Sequence, residues 1–257
     1  MKKTLIVTSI LALCLGCFTA VAQSHGRGSM GGPSQGPRFD AAMAKLFGEN
    51  SAFSATMEFQ TTVNGKQMIM PGKMSVLDRK SRFEINMADM KGSAAPPPEA
   101  MEQMKTMGMD SMVTITRPDQ KNIYVAYPGL KAYALVPLQE QDDASEADKF
   151  KIESTELGKE TVDGHACIKN KVIVTDSNGD KHESTVWNAT DLKKFPVKIE
   201  TTEQGHTVTM LYKDVKLAKP AASLFDPPAD FKKYESMQSL MMQEVMKRMG
   251  GGMAPMR

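Results

Sequence analysis

The chain predicts a mostly β protein of the α+β class, built on an antiparallel sheet, and three observations carry that prediction. Long stretches alternate apolar and polar residues. Turn-forming pairs punctuate them at Asn64-Gly65, Asp163-Gly164, Ser177-Asn178-Gly179 and Gln204-Gly205, and helical periodicity is confined to short segments near the two ends. Alternation sends successive side chains to opposite faces, so one face of such a sheet is buried and the other wet.

The elements follow in order. Residues 23–37 are rich in Gly, Ser and Pro and cannot bury enough apolar surface to order themselves, so they read as a tether. Residues 38–47 place Phe39, Met43, Leu46 and Phe47 at helical spacing and predict a short amphipathic helix. In residues 53–63, Phe53, Ala55, Met57, Phe59 and Val63 fall on one strand face, and Ser54, Thr56, Glu58, Gln60 and Thr62 on the other. Asn64-Gly65 is the preferred pair of a type I′ hairpin, so the strand carrying Met68, Met70, Met74 and Val76 should pair back on the first. Phe83, Ile85 and Met87 mark a third strand over residues 81–87, and further strands are expected near residues 112–116, 122–127 and 131–136. The acidic, polar residues 139–148 form a loop between two strand groups that need not be separate domains. A second meander occupies residues 153–234. Trp187 on its central strand should pack against Phe195 or the Leu224-Phe225 turn. Residues 236–249 predict a helix with Met241, Met242, Val245, Met246 and Met249 on one side and Gln243, Glu244, Lys247 and Arg248 on the other. Gly250-Gly251-Gly252 stops it.

The first residues indicate the compartment. Lys2 and Lys3 precede an uncharged apolar run over residues 5–21, too short for a stable membrane span. Ala20-Val21-Ala22 offers the small residues that signal peptidase needs, so cleavage is expected before Gln23. Lipid attachment at Cys17 is the alternative, with Gly16 before it but Cys14 where a lipobox prefers Leu. Cleavage removes two Lys and no acid, so Lys+Arg falls from 32 to 30 against 30 Asp+Glu, and the net charge of +2 becomes zero. That balance does not support a nucleic-acid binder. Cys14 and Cys17 leave with the signal, and Cys167 remains as a single thiol on a predicted strand, where a buried and inert role is expected.

A sheet entered from an N-terminal helix, with Tyr124-Val125-Ala126-Tyr127-Pro128 and Lys131-Ala132-Tyr133 midway and Trp187, Pro196-Val197-Lys198-Ile199 and Leu224-Phe225 in order, resembles the secreted bacterial domains of unknown function allied to the LolA/LolB-like lipoprotein carriers. The likeness covers roughly residues 53–234. It implies a strongly curved antiparallel half-barrel whose concave face, covered by helices and loops, encloses an apolar cavity for acyl chains. For the Arg with which such carriers gate their cavity, the chain offers Arg79, Arg82 and Arg117.

Methionine is the other strong signal, with 22 in the chain. Seven surround the Pro96-Pro97-Pro98 loop, at positions 87, 90, 101, 104, 107, 109 and 112, and seven fill residues 237–256. An unbranched, polarizable side chain suits an apolar surface that changes shape, so these segments read as a loop or helix lid over a lipid cavity. The candidate ligand-contacting residues are Phe53, Met57, Phe59, Met68, Met70, Phe83, Ile85, Met101, Met104 and Met107. Thioethers also suit Cu(I), which makes Met101, Met104, Met107, Met109 and Met112 an alternative soft-metal set. No His or Cys joins that set. In the meander, His182 and His206 lie at one end of the sheet and His165 at the other, about 30 Å away, which argues against three-His zinc; His25 is in the tether.

No acid/base pair or nucleophile with a base is discernible. Asp176-Ser177-Asn178-Gly179-Asp180 begins like a calcium loop, but Trp187 stands where the bidentate Glu belongs, and a hairpin turn explains those residues. The sequence thus divides into a signal peptide (1–22), a tether (23–37), the half-barrel domain (38–234) and a methionine-rich helix and tail (235–257). The expected protein is exported and not an enzyme, has no cofactor, and binds a lipid, an acyl chain or a lipidated partner. Its alternatives are periplasmic Cu(I) handling and an interaction or sensor module for an envelope protein. Peripheral contact with a membrane is a further expectation.

Overall fold

The structure, a computed structural model, describes residues 40–63, 65–139, 148–176, 178–203 and 206–250. The predicted signal peptide and tether, most of the acidic loop and the end of the tail lie outside them.

Helix α1 (Ala41–Phe47) begins where Asp40 accepts the amide of Met43 at 2.7 Å, and Gly48 ends it with a positive φ of 56°. The strands follow: β1 (Ala52–Val63), β2 (Lys66–Leu77), β3 (Lys80–Asn86), β4 (Ser111–Arg117), β5 (Asn122–Tyr127), β6 (Ala132–Pro137), β7 (Lys151–Val162), β8 (His165–Thr175), β9 (Lys181–Ala189), β10 (Phe195–Glu203), β11 (His206–Lys216) and β12 (Lys232–Tyr234). They form one mostly antiparallel, open and curved sheet in the order β12-β6-β5-β4-β3-β2-β1-β11-β10-β9-β8-β7. The two strand groups anticipated on either side of the acidic loop are joined edge to edge by β1 pairing with β11. The final strand departs from the expected meander: residues 232–234 leave their sequence neighbours and pair in parallel with β6 at the far edge.

Curvature has local causes. Bulges interrupt the ladders at Ser54/Thr56, Glu156/Gly158 and Pro196/Lys198, and each adds twist. At Gly72 the strands close tightly, since a Cβ there would lie 2.8 Å from the carbonyl oxygen of Glu84.

The sequence anticipated a methionine-bearing loop after β3, and part of it is helical. Pro98 starts α2 (Pro98–Thr106) at a position where its missing N–H is harmless. The C-terminal segment is helical too, but not regular. Ser236 caps α3 (Met237–Leu240), a π-helical turn spans Met241–Val245, and α4 (Met246–Gly250) follows.

The sheet has two apolar clusters. The larger lies on the face bearing Phe53, Met57, Met70, Phe83, Ile85, Ile199, Met210 and Tyr212, with Leu240 docked against it. At one end four rings interlock: Phe47 stacks on Phe53 at 4.9 Å, and Phe195 meets Phe47, Phe53 and Tyr212 edge to face at 5.2, 4.9 and 5.9 Å. This cluster docks α1 onto β1, β10 and β11. The smaller cluster, on the opposite face of β4 and β5, consists of Val113, Ile115, Ala126 and Phe225 with Phe231 at its margin. Arg117 holds Phe225 there. Its guanidinium donates to both carboxylate oxygens of Asp119 at 2.9 and 2.8 Å, to the Phe225 carbonyl at 3.0 Å and to Asp226.

Candidate functional site

The apolar face is built by register. Phe59 of β1 lies opposite Met70 of β2 and Met210 of β11, and Met210 lies opposite Ile199 of β10, so a row of apolar side chains crosses four strands. The next row runs from Tyr212 through Met57, Gly72 and Ile85 to Met112 on β4. Methionine is well represented: Met57, Met70, Met74, Met112 and Met210 are buried in this cluster, and Met43, Met90, Met109, Met237 and Met241 pack partly buried against it.

The sequence-derived ligand set is thereby divided. Phe53, Met57, Met70, Phe83 and Ile85 share the buried cluster, and Phe59 is half-buried at its edge. Met68 is half-buried on β2, beside the bridge between Ile69 and Lys91. Met101 and Met104 sit half-buried on α2 and Met107 just past its end. Of the alternative soft-metal set, three thus belong to α2 or its end, whereas Met112 is buried in the sheet core and Met109 packs partly buried against it.

Two close contacts fasten the methionine-bearing segments. Gly108, with φ of 72°, lets the end of α2 press on the loop between β5 and β6: a Cβ on Gly129 would lie 2.7 Å from the Gly108 backbone. Arg248 of α4 then donates to the carbonyl of Gly129 at 2.7 Å and to that of Thr106 at 3.4 Å. The C-terminal helix therefore reaches both α2 and the sheet.

Its orientation differs from the expected one. Met237, Leu240 and Met241 face the core, with Glu244 on the same side, while Met242 and Met246 are 58% and 62% exposed. Glu244, expected on the wet side, is instead tucked in, accepting from the Tyr234 hydroxyl and, at 3.4 Å, from the Lys232 ammonium. These donors hold its carboxyl below the usual range, Tyr234 foremost. The side chains of Val245 and Met249 lie outside the described residues.

The three candidate arginines are all engaged. Arg79 pairs with Asp148 at 2.8 Å, Arg82 pairs with Glu84 at 2.7 Å and donates to the Leu224 carbonyl, and Arg117 fastens Phe225 as above. Cys167 is buried, and burial raises its thiol pKa. Asp176 accepts the amides of Asn178 and Asp180 within a tight turn, which fits the hairpin reading over a calcium loop. His165 pairs with Asp191 at 2.7 Å, and the side chain of His206 lies outside the described residues. Among the described residues no helix is long and apolar enough to cross a membrane, and no group of three or more His, Cys, Asp or Glu could hold a metal.

One constellation was not foreseen. Trp187, expected against Phe195 or the Leu224-Phe225 turn, has its ring between two ammonium groups, Lys198 at 4.0 Å and Lys169 at 4.9 Å, and Phe225 belongs to the other cluster. Its indole N–H donates to the Glu160 carboxylate, which that bond and Lys169, 3.6 Å away, keep ionised. The sequence signal was weak: Lys169 and Lys198 become neighbours of Trp187 only through cross-strand register. Trp187 is 3% exposed and belongs to the larger apolar cluster, so Trp187→Ala should lower the unfolding free energy by about 3 kcal/mol, measured by urea denaturation. A loss below about 1 kcal/mol would show that the stems, not the indole, hold this region together. A cleft of about 360 Å³ opens here, lined by Gln60, Glu160, Thr161, Val162, Trp187, Lys198, Thr209 and Leu211.

Comparison with known proteins places the chain. The family described as "Domain of unknown function (DUF4412)" matches residues 53–195, more than half of it. No curated protein sequence matches. Similar solved structures include a LolA superfamily protein from Nitrosomonas europaea (10% identity, 72% of this chain and 94% of that one, TM-score 0.38), LprF from Mycobacterium bovis (12%, 74% and 97%, 0.40) and the lipoprotein LppX from Mycobacterium tuberculosis (12%, 68% and 91%, 0.35).

Proposed function

This chain belongs to the DUF4412 family, and from that premise we propose that it is an exported, non-enzymatic protein that binds an apolar ligand, a lipid or acyl chain or a lipidated partner, against the methionine-rich face of its sheet. One observation carries the reading: methionine recurs both in the buried part of the larger apolar cluster, at five positions, and at its margin, at five more. A static core needs no such side chain, since Leu and Ile fill space with better-defined rotamers. A face that must open, admit a chain and repack benefits from three rotatable bonds per residue.

In this reading α2 and the C-terminal helix form the lid. Pro96-Pro97 and Gly108 bracket α2 as stiff and permissive ends, and the Arg248 contacts are the latch that must release. Exposed Met242 and Met246 give the lid an apolar edge for contact with the membrane that supplies ligand. The basic, apolar and small-residue order of residues 1–22 supports export.

Phe59 offers the cleanest test, because it is apolar and at the face yet only half-buried. Phe59→Glu should abolish uptake of a fluorescent fatty acid while circular dichroism shows a folded protein. A carboxylate placed in an apolar site costs several kcal/mol unless it is solvated or paired. Unchanged uptake in the folded variant, or no uptake by the parent protein and no lipid in its native mass spectrum, overturns the reading. Replacing Met101, Met104, Met107, Met109 and Met112 together by Leu should leave uptake within about twofold, because the hydrocarbon surface is retained. A stoichiometric Cu(I) site in the parent, lost in that variant, would instead make copper the ligand.

A further inference from the structure

The cleft at Trp187 opens where Gln60, Lys198, Thr209 and Leu211 point away from the apolar face, with Trp187 at its floor buried in the margin of the larger cluster. Gln60, Thr209, Leu211 and Lys198 each neighbour a residue of the apolar face, namely Phe59, Met210 and Ile199, and the pleat sends them the other way. We propose that this cleft is a second binding site, distinct from the lipid face, for a neutral polyhydroxylated ring, the chemistry of a sugar residue.

Charge decides against ions. Lys198 and Lys169 would repel a cation. Glu160, within the cleft, and Glu200, 3.4 Å from Lys198, would repel an anion, and both ammonium groups already have a carboxylate within 3.6 Å. What remains is an ionised acceptor at Glu160, half exposed, and a charged donor at Lys198, with the side-chain amide of Gln60 and the hydroxyls of Thr161 and Thr209 around them. A hydroxyl group both donates and accepts, so a ring carrying several of them satisfies such a mixed wall, whereas an acyl chain would leave it unpaired. Trp187 and Leu211 supply the apolar patch against which the C–H face of a ring can rest, once the Lys198 stem swings aside. A volume of about 360 Å³ is at the small end of the ligand-site range and suits one or two rings. Thr161 and Thr209 form no side-chain hydrogen bond among the described residues, so their hydroxyls are available to a ligand.

Trp187 is the chain's single tryptophan, so its emission reports this cleft alone. Titrating the full chain with maltose, cellobiose and N,N′-diacetylchitobiose should give a saturable change in emission with at least one of them, with Kd of about 1 mM or tighter. Gln60→Ala combined with Thr209→Val should weaken that response about tenfold or more with unaltered melting, because both positions lie beside the cleft and neither is buried. Calorimetry on Trp187→Phe, which keeps an aromatic floor, should still show the heat of binding. The proposal is overturned if no sugar gives a saturable response at about 50 mM. It is equally overturned if inorganic phosphate saturates the emission change and the sugars do not, or if the double variant binds as tightly as the parent. Fatty-acid uptake at the other face is unaffected by any of these outcomes, so the two sites stand or fall separately.

Discussion

Phe53→Ala should lower the free energy of unfolding by about 3–5 kcal/mol, a large part of the total for a domain of this size. Phe53 has no exposed surface and stacks on Phe47 while meeting Phe195 edge to face. Truncation leaves a ring-sized void bounded by β1, β10 and α1, and a close-packed interior fills such a void only in part. The damage reaches beyond one side chain, because Phe47 loses the partner on which it is stacked. Helix α1 has only seven residues and too little intrinsic stability to hold its place without that docking. Urea denaturation followed by near-ultraviolet circular dichroism measures the loss, with a fall in melting temperature of roughly 10 °C. A cost below about 1 kcal/mol would mean that Phe53 faces an open cavity in the unliganded protein, as a residue dedicated to ligand contact would.

The contrast between Phe53 and Phe59 shows where alternation along a strand stops being informative. Period two assigned both to the same face, and they are on it, but Phe59 is half-buried whereas Phe53 is covered by a helix from earlier in the chain. Burial depth depends on what lies above the sheet, and local pattern says nothing about that. The hairpins were legible because Asn-Gly and Asp-Gly carry their own backbone preference. The β1–β11 pairing that merges the two strand groups was not, since it joins residues 147 or more apart in the chain with no local signal. The parallel placement of β12 escaped for the same reason.

The C-terminal helix failed in a more specific way. Its apolar face was centred on Val245, whereas the packed side carries Met237, Leu240, Met241 and Glu244, a face that the same 3.6-residue repeat also allows and that a methionine-rich segment does not distinguish. The consequence is chemical: Met242 and Met246 moved from the packed side to solvent, and Glu244 moved into a pair with Tyr234 and Lys232. The Trp187 cleft was illegible because its members come from five strands that only cross-strand register brings together.

Arg117→Leu should cost about 3 kcal/mol and flatten the acid limb of the stability curve. The guanidinium is nearly enclosed, with its side chain 10% exposed, and it satisfies the Phe225 carbonyl while bridging Asp119 and Asp226. Its removal strands a buried carbonyl and frees residues 222–231 from the smaller cluster, and breaking one side of such an arrangement costs more than a surface pair is worth. Arg117→Lys should restore less than half of the loss, because one ammonium cannot reproduce the fork that meets Asp119 at two points. The pH dependence has a definite sign. The Arg117 bonds hold the Asp119 carboxyl below its ordinary range, so its contribution is fully present above an unfolded-state pKa of about 3.9 and is lost as pH falls through the lower folded value. Urea midpoints measured between about pH 2 and pH 6 should therefore drop more steeply in the parent than in Arg117→Leu, and Asp119→Asn should flatten the parent curve in the same window. Parallel curves for parent and variant would show that Arg117 acts through packing of its stem alone, and that the segment carrying Phe225 is held by apolar contact rather than by the ion pairs.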